Sequence, residues 1–162
     1  MRVLKKDIQH LMKLLETTHI PINYDRGRKK TQRHGSHKPA GKGRTVLLGQ
    51  SPYKNNTLTK FTQSHPDVYA ELQKLSRKYA PFPVKSFMLN KDYQTQPHYD
   101  RKNTGTSVIF SFGDYTGGEL VVENKIIDTF MKTYEMDGSH LLHWNLPITG
   151  GTKYSIIFFN AS

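Results

Sequence analysis

The sequence predicts a mainly β protein of jelly-roll type with two helices in its N-terminal half. Three observations carry this expectation. From residue 82 onward, short apolar runs alternate with polar residues and are cut by turn signals. That spacing suits about eight strands folded into two packed sheets. Before residue 80, two stretches carry their apolar residues at helical spacing instead. The chain has 162 residues, the size of a single domain, and shows no internal repeat.

The first helix runs from Leu4 to about Thr17, with Ile8, Leu11, Met12, Leu14 and Leu15 on one face, and Pro21 ends it. A basic stretch then leads into a short strand, Thr45–Leu48. Residues 49–60 are polar and rich in turn formers, so they read as loop. Ser64-His-Pro66 opens the second helix with proline in the first turn, where its missing N–H costs nothing. Val68, Leu72, Leu75 and Tyr79 face inward, and Pro81 and Pro83 stop the helix. Both helices are expected to buttress one sheet.

The β half opens with the extended run Val84–Asn90, followed by a strand over Thr106–Phe112. Glu119–Val122 pairs with Ile126–Phe130 through the turn Glu123-Asn-Lys125. Thr133–Met136 ends at Asp137-Gly138, a two-residue hairpin signal leading into Ser139–Trp144. Lys153–Phe159 is the last apolar strand.

The charge is unevenly placed. The formal net charge is +11; residues 1–60 hold 14 Lys/Arg against 3 Asp/Glu, while residues 61–162 hold 10 of each. The densest part, residues 26–44, carries Arg26, Arg28, Lys29, Lys30, Arg33, Lys38, Lys42 and Arg44, with four glycines and no acid. Clustered cations attract phosphates by releasing their counterions, and glycine lets a backbone lie close to a partner. The stretch therefore predicts a nucleic-acid contact loop; a solvated basic loop with no specific partner is the plain alternative. The absence of cysteine excludes disulfides and thiolate metal sites. No apolar run is long enough to span a bilayer, and the N-terminus has no leader-like apolar core. The expectation is a soluble intracellular monomer, in nucleus or cytoplasm.

Chemistry enters at His98-Tyr-Asp100. The triplet follows Pro97 at the exit of an extended run, His143 sits in a second strand-like run, and Lys153 opens the last strand ten residues on. Two histidines and a carboxylate on one face of a metal leave coordination positions open, the arrangement that suits non-haem Fe(II) working on oxygen. A His-x-Asp triplet alone is a weak signal. The distal histidine and the lysine make the combination specific. His140 is the rival for the distal position, but three residues from His143 it would point to the other face of a strand.

These residues resemble the Fe(II)/2-oxoglutarate-dependent dioxygenases. That family carries His-x-Asp, a distal His, and Arg or Lys about ten residues later, often followed by x-Ser. Here the pattern reads His98-Tyr-Asp100, His143-Trp-Asn-Leu-Pro147 and Lys153-Tyr-Ser155. Asp114-Tyr-Thr-Gly-Gly-Glu-Leu120 is similar to a Gly-Gly turn of prolyl-hydroxylase-like members. The resemblance covers about residues 82–160. It implies a double-stranded β-helix, cupin-like core, supported by residues 1–80. It also implies Fe(II) held by His98, Asp100 and His143, with 2-oxoglutarate and O2 as co-substrates.

Lys153 would then meet the far carboxylate of 2-oxoglutarate, and Ser155, on the same strand face, would donate its hydroxyl to that carboxylate. Asn90 and Tyr93 are similar to an Asn-x-Tyr co-substrate segment of nucleic-acid demethylases, with one residue more between them, and Tyr93 reads equally as a core aromatic. Phe110, Phe112, Phe158 and Trp144 would supply an apolar wall, or equally be plain core. The compact TET/JBP-like branch, also similar, implies oxidation of a methyl group on 5-methylcytosine or thymine, with DNA the favoured substrate. A prolyl or other protein side-chain hydroxylase is the alternative. A cupin-like binding module without iron is disfavoured, because every expected catalytic position is filled.

Overall fold

The computed structural model describes residues 1–23 and 41–162. Arg26, Arg28, Lys29, Lys30, Arg33 and Lys38 therefore lie outside the described residues, whereas Lys42 and Arg44 lie within them.

Helix α1 (Lys5–Leu15) buries Ile8, Leu11 and Leu15, the face that its spacing predicts. It stops two residues before Thr17, where the Thr17 and Thr18 hydroxyls turn back onto the Leu14 carbonyl at 3.3 and 2.7 Å. Helix α2 (Lys60–Ser64) is one short turn capped by the Thr59 hydroxyl. Helix α3 (Pro66–Tyr79) starts on its proline and buries Val68, Leu72, Leu75 and Tyr79. Asp7 clamps α1 to α3: it accepts from Lys78 Nζ at 2.6 Å and from the Tyr79 hydroxyl at 2.5 Å. Among the described residues, no helix is long and apolar enough to cross a membrane.

The rest is antiparallel β. The larger sheet runs in the order β1 (Ile22–Asn23), β2 (Gly41–Ser51), β4 (Ser86–Thr95), β10 (Ile148–Ala161), β5 (Asn103–Gly117) and β8 (Tyr134–Met136), with β3 (Thr57–Leu58) beside β2. The smaller sheet runs β7 (Lys125–Ile127), β6 (Leu120–Val122), β9 (His143–Asn145). One face of the larger sheet packs on the helices through Leu48, Phe87, Leu89, Phe110, Phe112 and Phe158. Each such buried side chain contributes roughly 1.5–3 kcal/mol. The other face meets the smaller sheet through Ile109, Leu120, Val122 and Met136. This is the jelly-roll barrel expected, with helices on one side and a cavity inside.

Several expectations are corrected. The strand at Thr45–Leu48 is much longer, and residues 49–60 hold the end of β2, β3 and the start of α2 instead of a plain loop. The turn after β6 has two residues, Glu123 and Asn124, at φ 47° and 69°. Positive φ at both centres matches the right-handed twist of a hairpin. Asp137-Gly138 is not a hairpin turn: β8 pairs with β5 in the larger sheet and β9 with β6 in the smaller one. The segment crosses between sheets. Phe110, Phe112 and Phe158 belong to the helix-side core, so they do not wall the site. Trp144 pairs with Val121 on β6 and does not line the cavity either.

Candidate active site

His98 lies just past the end of β4 and forms an isolated bridge with His143, the first residue of β9. Its N–H donates to the His143 carbonyl at 3.0 Å, and the His143 N–H returns a bond of 3.1 Å. The bridge joins the exit of the larger sheet to the smaller sheet where both imidazoles project. Asp100 N donates to the Gly138 carbonyl at 2.9 Å, which brings the carboxylate to the same place.

The ring orientation is set from behind. Nδ1 of His98 lies 2.6 Å from the Gln96 carbonyl, and Nδ1 of His143 lies 2.8 Å from the Leu141 carbonyl. A carbonyl only accepts, so each Nδ1 carries a proton and each Nε2 faces inward, protonated where it donates to Asp100 and a lone pair once a cation takes that proton's place. Those Nε2 atoms stand 3.0 Å from Asp100 Oδ2 (His143) and 3.4 Å from Oδ1 (His98). Burial alone would raise the Asp100 carboxyl, but hydrogen bonds from His143 and His98 outweigh it and hold the group well below the usual carboxylate range. Burial likewise pushes His143 down, and the Asp100 carboxylate more than reverses it.

All three ligand atoms lie within 4.8 Å of one another, and among the described residues no other His, Asp or Glu cluster of this kind occurs. Two inward lone pairs and a carboxylate are a donor set for a divalent cation. The chemistry of the residues thus fits the metal that the motif implied. His140 is in a turn, its ring on Asp137 Oδ2 at 2.7 Å, and takes no part.

Gly138 is there for space. A Cβ at this position would come 3.1 Å from Asp100 Oδ2 and 3.4 Å from His143 Cε1. A Gly138→Val side chain must displace both. We expect divalent metal affinity to fall about 10- to 100-fold, as when groups supporting a metal site are lost. Metal titration by calorimetry checks this; unchanged affinity would mean that the crowding is absorbed elsewhere.

The three residues open onto a cavity of about 330 Å³ between the sheets. Met88, Ile109, Leu120, Met136, Ile157 and Phe159 form its apolar wall. Asn90, Tyr93 and Ser155 also line it, so these three expected residues join the ligands. Across the sheet, Thr45 Oγ1 meets Asn90 Oδ1 at 2.5 Å, and Asn90 Nδ2 donates to Ser155 Oγ at 3.1 Å. With its oxygen accepting from Asn90, Ser155 retains a hydroxyl proton to donate.

The extra residue between Asn90 and Tyr93 is a β-bulge. Arg44 pairs with Lys91 and Lys42 with Gln94, so two residues of β4 oppose one of β2. Asp92 takes φ 50°, and its carboxylate accepts from Lys153 N at 2.7 Å. Opposite it only glycine fits, since a Cβ on Gly43 would lie 2.2 Å from the Asp92 carbonyl oxygen. The bulge resets the side-chain alternation, and Tyr93 and Thr95 follow Asn90 onto the cavity face. Sequence reading saw the odd spacing but not its cause.

Lys153 is placed differently from Ser155. It is 4% exposed and shares the strand face of Ser155, but it does not line the cavity. Its ammonium donates to the Gly118 carbonyl at 2.6 Å and lies 5.7 Å from the centre of the Tyr115 ring. Burial pulls its pKa down to about 8, against the opposing pull of Glu119 and Asp92. Lys42 and Arg44 lie on β2, away from the ligands in sequence; the Arg44 guanidinium donates to the Ile20 carbonyl at 2.8 Å.

No family model matches the sequence, and no curated protein matches it. Solved structures do share its architecture. NgTET1 in complex with 5mC DNA aligns with TM-score 0.64 at 14% identity, over 99% of this chain and 69% of that one. OsALKBH1 aligns with TM-score 0.52 at 11% identity, over 97% and 96%. An oxidoreductase of the 2OG-Fe(II) oxygenase family from Burkholderia pseudomallei aligns with TM-score 0.52 at 14% identity, over 97% and 79%. With the two-sheet barrel and its His-Asp-His cluster already in place, these likenesses show that the chain has the fold of the Fe(II)/2-oxoglutarate oxygenases.

Proposed function

We propose that this protein is an Fe(II)/2-oxoglutarate-dependent dioxygenase that hydroxylates a C–H bond, most specifically the methyl group of 5-methylcytosine or thymine in nucleic acid. The observation that carries the reaction class is the convergence of His98, Asp100 and His143, with both imidazoles locked in the ligand tautomer. Fe(II) bound there supplies oxygen activation, coupled to conversion of 2-oxoglutarate into succinate and carbon dioxide.

The residues do the rest. Three ligands occupy one face and leave the cavity side open. Ser155, positioned by Asn90 and Thr45, would donate its hydroxyl to the co-substrate. Lys153, on the same strand face, would supply the positive charge for the far carboxylate on leaving the Gly118 carbonyl to which its ammonium donates. The apolar wall from Met88 to Phe159 excludes water from the reacting carbon.

Nucleic acid is favoured by two facts. All of the net positive charge falls in residues 1–60, ahead of the catalytic half in sequence, and one structural neighbour is a TET protein bound to 5mC DNA. Mass spectrometry of nucleosides from 5-methylcytosine DNA, after incubation with Fe(II), ascorbate and 2-oxoglutarate, tests the reading. The expected result is an oxidised methyl product that is absent with Asp100→Ala. Succinate release stimulated by peptides, with DNA and RNA untouched, would replace it with the protein-hydroxylase alternative.

A further inference from the structure

Two exposed tyrosines stand beside the site, each with a cation on its ring. Tyr53 is 72% exposed and lies at the cavity rim, with Lys102 Nζ 4.5 Å from the ring centre. Tyr99 is 39% exposed, with the Arg101 guanidinium 5.0 Å from its ring centre. The two cations are neighbours in one turn, closed by Asn103 N donating to the Asp100 carbonyl at 3.0 Å. That turn begins on a metal-ligand residue. Both aromatic–cation pairs are thus held in fixed relation to the reacting centre.

The facing element is a second tight turn. After β2, residues 51–56 fold back with Asn55 and Asn56 at φ 53° and 60°, and this presents Pro52 and Tyr53 to the cavity. Segments 51–56 and 99–103 together hold Lys54, Arg101 and Lys102 and, apart from the ligand Asp100, no acid. Exposed aromatic faces next to cations that make no salt bridge among the described residues match a partner made of flat rings joined by anions. That is the chemistry of an unpaired nucleic-acid strand: bases stack on the rings, and phosphates meet the ammonium and guanidinium groups. A peptide would offer no such periodic negative charge.

We propose that Tyr53 at the cavity mouth and Tyr99, between the two cavity-lining residues His98 and Asp100, are stacking positions for unpaired nucleotides, with Lys102 and Arg101 contacting the flanking phosphates. An enzyme acting on a base must have it out of the stack, and this rim would hold the strand in that state. The inference deepens the nucleic-acid reading above and rests on it. It assigns substrate grip to residues around the cavity mouth, separate in sequence from the basic stretch 26–44.

The test is fluorescence anisotropy of the full chain with a labelled single-stranded oligonucleotide of about a dozen nucleotides containing 5-methylcytosine, across a salt series. Tyr53→Ala and Tyr99→Ala should each weaken binding about 5- to 150-fold, the range measured for loss of base stacking. Tyr53→Phe keeps the ring face and should bind as the wild type does. Lys102→Ala should lower the slope of log affinity against log salt by about 0.7, the loss of one phosphate contact on a single strand. Circular dichroism melts and metal titrations establish that the variants are folded and still bind metal. If the wild type binds and oxidises the oligonucleotide while both alanine variants bind it equally well, the rim assignment is wrong and the nucleic-acid reading stands. If the wild type binds no oligonucleotide and peptides stimulate succinate release, both fall together.

Discussion

Asp100→Ala should abolish Fe(II)-dependent turnover of 2-oxoglutarate while leaving a folded barrel. The carboxylate is the single anionic ligand of the cluster, so its loss leaves two neutral imidazoles, His98 and His143, to hold a dication. Loss of groups that merely support a ligand costs metal sites about 10- to 100-fold in affinity; loss of the ligand should exceed that. The fold should survive because the main apolar core, around Leu72, Phe87, Phe110 and Phe158, lies on the opposite face of the larger sheet. Two readouts separate the effects: calorimetric metal titration should show weak or no binding, and the far-ultraviolet dichroism spectrum should be unchanged. Retained turnover would remove the metal assignment altogether.

Lys153→Met should pull stability and co-substrate binding in opposite directions. Burial lowers the lysine from 10.5 to about 8, so the folded state disfavours the charge. A lysine whose folded pKa is depressed costs stability below that pKa, and the cost fades as pH rises from about 8 towards 10.5. At neutral pH the charge penalty is about 3 kcal/mol, offset by roughly 1–2 kcal/mol from the bond to the Gly118 carbonyl. The methionine variant should therefore melt a few degrees higher near pH 7. Above about pH 10 its advantage should vanish and then reverse, since it still lacks the Gly118 bond. On the proposed assignment, the same variant also loses the partner of the co-substrate's far carboxylate. Affinity for 2-oxoglutarate should drop at least about 30-fold. Equal affinity in the two proteins would show that the ammonium stays on Gly118 and that another group holds the anion.

The clustering of His98, Asp100 and His143 was legible because its signal is a combination: a triplet at a strand exit, a second histidine, and a lysine at fixed distance. Both major helices were legible as well, since Ile8, Leu11, Val68 and Leu72 mark faces with no competing pattern. The barrel interior was not. On β5 and β10, Phe110 and Phe158 alternate cleanly with Ile109 and Ile157, so the alternation announces two faces. Both faces are buried, one under helices and one against the smaller sheet, and alternation cannot say which is which. That is why sequence left Phe110, Phe112 and Phe158 open between the site wall and plain core, and the structure places them in the core. Asp137-Gly138 failed differently. Its composition suits a hairpin, but Gly138 is needed for its nearness to Asp100, a contact between residues far apart in the chain.

The bulge at Asp92 has a consequence for how relatives of this chain could be found. It lets the number of residues between Asn90 and Tyr93 change by one while both side chains still reach the cavity. A pattern written with fixed spacing would score this segment as a mismatch, and an alignment would open a gap within a strand that superimposes on both sides of the insertion. Within such a lineage, insertions and deletions at this position would be tolerated when a glycine like Gly43 lies opposite. Searches that permit a one-residue length change there, and require the glycine across the strand pair, should recover distant members that rigid motifs pass over.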